Sequence, residues 1–158
     1  MWQEASEIYS EIGKAEKSRQ LQIRSLMNLD KFLEAAELAD DSGEFRVAAE
    51  AYEYAKEYAK AGEMFRLIGK MDKAAEMYLL AGKVLEAAVL YEQTGDLRQA
   101  AELREQLHEY DKAAELYALT GEAAKSGKLY LESGHFFDRV KGKLTNRKID
   151  AAASPEPD

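Results

Sequence analysis

Residues 71–95 read MDKAAEMYLLAGKVLEAAVLYEQTG, which is one thirteen-residue unit written almost twice. In the first copy Ala74-Ala75 is followed by Met77, Tyr78 and Gly82. In the second, Ala87-Ala88 is followed by Leu90, Tyr91 and Gly95. With the first alanine as position 1, these residues occupy positions 1, 2, 4, 5 and 9 of each unit. The spacing continues in both directions through Ala35-Ala36, Ala48-Ala49, Ala61-Gly62, Ala100-Ala101, Ala113-Ala114 and Ser126-Gly127, giving eight consecutive units. Position 5 is Tyr or Phe in six of them, with Ala39 and Arg104 as exceptions. Position 9 is Gly in six, with Lys56 and His108 as exceptions. Self-similarity at a fixed period is the signature of a repeat architecture and takes precedence over local propensity.

The unit folds as a helix. At about 100° per residue, positions 1, 2, 4, 5, 8 and 11 fall within an arc of about 160°, and these are the apolar or small columns. Positions 3, 6, 7, 12 and 13 lie outside it and are mostly charged; position 3 is Glu in six units. The pattern predicts a helix from position 11 to position 8, about 16 Å long. Gly at position 9 suits the left-handed residue that closes it. Acids at position 10 (Glu44, Glu57, Asp96, Glu109, Glu122) suit the positive end of the next helix, and Asp96 followed by Gln99 resembles a capping box. So short a connection folds each helix back on its predecessor. A helix of this length is marginal alone in water, so stacking must stabilise it. Lys56 and His108 predict either a fused helix or a strained turn.

The N-terminal segment joins the array. Trp2, Ala5, Ile8, Tyr9 and Gly13 fill positions 11, 1, 4, 5 and 9, and Ala15, Ser18 and Leu21 begin a second unit. Ala35 then stands 17 residues after Ser18. The four extra residues approximate one helical turn and lengthen a helix without rotating its apolar face. The expected fold is all-α: an α-solenoid of about ten short antiparallel helices, 26 residues per helix pair, over residues 1–138. Residues 139–158 are expected to be an irregular segment and flexible tail, with a short helix near Phe136–Leu144.

Composition agrees. The 158 residues hold 26 Ala but only 12 Val, Ile and Thr together, and both prolines (Pro155, Pro157) stand near the end. The absence of cysteine excludes disulfides and thiolate chemistry. A net charge of -8 argues against a nucleic-acid partner, and no apolar run is long enough to insert in a membrane. The polar N-terminus is no secretory signal, so a cytoplasmic location is expected.

No catalytic constellation is visible. His108 and His135 are 27 residues apart without a metal-ligand motif, so turn and helix-start roles are expected of them. The glycines end helices and do not build a phosphate loop. Neither an enzyme nor a cofactor is expected.

Units such as DKAAEMYLLAGK and DKAAELYALTGE (residues 72–83 and 111–122) resemble the repeats of tetratricopeptide-like α-solenoids. They are most similar to the arms of intraflagellar-transport and coatomer-type trafficking subunits. The resemblance implies a scaffold that binds a protein or peptide partner. Two alternatives stay open: an architectural spacer within a longer solenoid, and an engineered or consensus-like repeat protein. Met1-Trp2 falls at a repeat boundary, which favours an excised or engineered segment.

The candidate partner-binding residues are departures from the pattern. Position 7 should be polar, yet three successive units place Tyr54, Leu67 and Leu80 there, and Leu79 adds to them at position 6. Either stacking buries these residues or they form an exposed contact site for a partner or a second copy of the chain. Arg104, on an aromatic column, is expected at an exposed edge or paired, with Glu105 or Asp111 as partners, and is a further binding candidate.

Overall fold

The computed structural model of the chain describes residues 2–11 and 14–134. They form an α-solenoid of ten helices with no strand among them. These are α1 (Trp2–Glu11), α2 (Ala15–Asn28), α3 (Phe32–Asp41), α4 (Phe45–Tyr54), α5 (Tyr58–Leu67), α6 (Met71–Leu80), α7 (Val84–Thr94), α8 (Leu97–Gln106), α9 (Tyr110–Leu119) and α10 (Ala123–Glu132). From α4 onward each helix starts thirteen residues after its predecessor. The four extra residues go into α2, which has 14 residues where its neighbours have ten. Packing divides the array into two compact units, α1–α7 and α8–α10, which meet in sequence at Gly95-Asp96. Within each unit every helix packs on the next. Phe136–Leu144 and the tail lie outside the described residues.

Of the regular helices α3–α10, α7 ends at position 8 as the pattern predicts, with Gly95 as its cap, and the others end one residue earlier, at position 7, with position 8 as the cap. The chain then takes a left-handed residue and turns back. Gly82 and Gly95 have φ of 74° and 88°. The Lys83 amide donates to the Tyr78 carbonyl at 2.8 Å, satisfying an acceptor that the helix end leaves open. Lys56 and His108 do not fuse helices: they adopt the same turn, at φ 60° and 59°. Asp30, at φ 56°, closes α2 likewise. The Gln99 amide donates to Asp96 Oδ1 at 3.3 Å, as the capping box predicts. The glutamates at position 10 stand at helix starts but make no capping bond, and Glu109 and Glu122 instead meet Arg104 and Lys125.

The core follows the columns. The alanines at positions 1 and 2, from Ala35 to Ala114, are fully buried. Their small size brings helix axes close, and the aromatics Tyr52, Phe65, Tyr78, Tyr91 and Tyr117 fill the space between. Each such ring stabilises the fold by roughly 2–3 kcal/mol of apolar burial. In the α1–α2 pair, serines replace alanines. Ser18 Oγ donates to the Ser6 carbonyl at 2.9 Å, and Ser6 Oγ donates to the Ser18 carbonyl at 3.1 Å. Ile8 occupies a core column but is exposed.

Position 13 adds a second layer. Lysines there lie over the aromatic of the preceding helix: Lys60 is 5.1 Å from the Tyr52 ring, Lys73 is 4.8 Å from Phe65, and Lys125 is 4.7 Å from Tyr117. The phenols reach carboxylates, Tyr117 donating to Glu105 at 3.0 Å and Tyr52 to Asp40 at 3.5 Å. Burial first, and then these acids, push both phenols up to about 12.

Candidate partner-binding surface

Tyr54, Leu67 and Leu80 are the last residues of α4, α5 and α6. They are 64%, 56% and 60% exposed, so stacking does not absorb them. Nor does the fold gather them into one patch. Phe32, the first residue of α3, lies 5.3 Å from Tyr54, the last of α4, so neighbouring helices run in opposite directions. Tyr54 and Leu80 therefore share one end of the first unit, and Leu67 stands at the other. Leu79 is half-buried.

Arg104 is not at an exposed edge. It is 4% exposed, and its Nη1 donates to Glu109 Oε2 in the following turn. Glu109 was not among the partners that the sequence suggested, while Glu105 is engaged by the Tyr117 hydroxyl. The Arg104 hydrogen bond holds the Glu109 carboxyl below the usual carboxylate range, and Lys112 at 3.4 Å adds to it. The arginine takes the space of a missing ring, and Lys112 turns to the carboxylate where its counterparts cover an aromatic face.

Leu67 belongs to a groove of about 630 Å³ between α5 and α7. Two helices of the same direction form its walls, and Tyr78 of the intervening α6 contributes to its floor. Met64 and Leu90 complete that floor and are buried, like Tyr78. Leu67 and Leu85 form exposed apolar lips. Glu63, Arg66, Lys83 and Glu86 supply charges of both signs at the rim, and Lys83 Nζ reaches Glu63 at 3.9 Å. Leu85 escaped the sequence reading, although its signal was of the same kind: a leucine at position 12, outside the apolar arc, where four of the eight units carry a charge. No group of three or more metal-ligating side chains occurs among the described residues, and none of their helices is long and apolar enough to cross a membrane. Such a surface presents shape and apolar area rather than reactive groups.

A family model for the soluble NSF attachment protein, SNAP, matches residues 1–144. The chain belongs to the SNAP family. No curated protein and no solved structure matches it. SNAP membership places the chain in a helical-repeat protein-interaction fold of the adaptor type. The trafficking character expected from the repeats is thereby supported at the level of that fold. The narrower likeness to intraflagellar-transport and coatomer arms finds no counterpart in these comparisons.

Proposed function

We propose that this chain is a non-enzymatic, cytoplasmic attachment module that seats a protein partner in the groove between α5 and α7. The observation that carries the reading is the pair of exposed leucines, Leu67 and Leu85, over an apolar floor, on a fold of the adaptor class. The family's name makes NSF the first partner to test. No cofactor and no nucleic acid enter the reading. Arg104 is left out of the contact surface, because its guanidinium is buried in an ion pair.

The test is co-sedimentation of the purified chain with NSF, using the parent and the Leu67→Ser/Leu85→Ser variant. The variant is expected to bind about 5–30-fold more weakly with an unchanged melt, the usual cost of losing a central apolar anchor. Equal binding by both would remove the groove from the interface. A parent that does not bind NSF would remove NSF as the partner. A second reading rests on Tyr54 and Leu80, which are exposed at one end of the first unit and would serve self-association. Sedimentation of Tyr54→Ser/Leu80→Ser against the parent tests it, and a monomeric parent ends it.

A further inference from the structure

Position 2 is alanine in six of the eight regular units, but α5 has Gly62 there. A Cβ at Gly62 would stand 2.8 Å from Cδ1 and Cε1 of Tyr78 and 3.3 Å from the Ala74 carbonyl oxygen. The missing methyl therefore lets the Tyr78 ring sink against the α5 backbone. Tyr78 is the floor of the groove between α5 and α7, so Gly62 sets the groove's depth. Beside its aliphatic lining, three groups around that floor favour an aromatic neighbour. The Met64 thioether favours contact with a ring. The rim cations of Arg66 and Lys83 favour a π face, and Lys83 Nζ already stands 5.6 Å from the Tyr78 centroid. Tyr78 is buried but lines the groove, and a ring there suits an edge-to-face aromatic neighbour. An aliphatic side chain would gain burial here but none of these additional attractions.

We infer that the groove takes an aromatic side chain of a partner segment, seated on Tyr78 at a depth that Gly62 fixes. This rests on the reading of the groove as the partner site. It specifies the chemistry of the anchor, and Gly62 is a positioning residue.

The experiment uses simple probes, so it does not depend on NSF. The Met64 methyl resonance of the full chain is followed during titration with N-acetyltryptophanamide and, separately, N-acetylleucinamide. The tryptophan amide is expected to shift the methyl with about fivefold higher affinity. Tyr78→Leu should level the two affinities. Gly62→Ala, checked by its melt, should weaken the tryptophan amide by about fivefold or more. Equal affinities of the two probes for the parent, or no shift with either, would overturn the aromatic assignment. Where Gly62→Ala fails to fold, Tyr78→Leu decides, and retention of the tryptophan preference in that variant counts against the proposal. Failure of the attachment reading looks different: the probes discriminate, while NSF binding ignores Leu67 and Leu85.

Discussion

Lys56 stands at φ 60° in a turn where six other units place glycine. A side chain in the left-handed region costs roughly 1–2 kcal/mol, because its Cβ crowds the following carbonyl. Lys56→Gly is therefore expected to raise stability by about 0.5–1 kcal/mol, part of the gain being lost to the freedom of an unfolded glycine. Gly82→Val, at φ 74°, should lower it by more than ~1 kcal/mol, since a β-branched residue tolerates this region least. Denaturant melts of both variants check the pair, and opposite signs are required. Arg104 poses the same kind of single-residue question. Its guanidinium is buried against Glu109, whereas in the Lys125–Glu122 pair at 2.8 Å the lysine is about half exposed. Removing one side of a buried pair takes compensation from a desolvated charge, while an exposed pair contributes only about 0–1 kcal/mol. Glu109→Ala should thus destabilise clearly more than Glu122→Ala in parallel melts; equal losses would show that Arg104 finds compensation elsewhere.

At the scale of the helix, Tyr52 in α4 and Tyr117 in α9 each bury a ring and donate the phenol to an acid on the helix before. Both folded pKa values rise from the ordinary 10 to about 12. A raised phenol favours the neutral form in the folded state. Its stabilising contribution is complete below about pH 10 and is lost as pH climbs toward 12. Melting temperature should fall across that window, and Tyr52→Phe with Tyr117→Phe should flatten the fall. A melt insensitive to pH there would place the phenols in water. The helices themselves were legible because one column pattern dictates face, length and turn at once. Gly82, Gly95 and the Asp96–Gln99 cap could be read from residue type and register alone. The groove was not so legible. Leu67 stood out as a leucine on a polar column, but its separation from Tyr54 and Leu80 follows from helix direction, which spacing within a unit does not express. Glu109 as the partner of Arg104 was missed because position 10 looked like a cap, and the pull of a buried cation outweighs the helix end.

Each of the two units is held by neighbours in sequence. Within the first unit α4, α5 and α6 each have a helix packed on both sides, whereas α1 packs chiefly on α2. In such an array stability approaches a sum of local interfaces, so opening is graded rather than uniform. Amide hydrogen exchange should be slowest at the buried alanine pairs of α4 and α6, Ala48-Ala49 and Ala74-Ala75, and fastest in α1. Uniform protection through the first unit would mean a single cooperative block. The local character of the contacts also places the fold among topologies that form quickly.

Alternation of helix direction carries a rule of parity. Removing one unit would reverse the helices that follow in the first unit, and every groove built from two same-direction helices would lose a wall. Removing two restores the sense of the chain. Tyr58 and Val84, the starts of α5 and α7, lie 26 residues apart, and each is preceded by a residue of the same backbone shape, Glu57 at φ -81° and Lys83 at φ -85°. Excision of residues 58–83 would join Glu57 to Val84 across a junction that the fold already uses. Variation in the length of such an array is thus quantised: whole hairpins can be spliced in or out, and half-hairpins cannot.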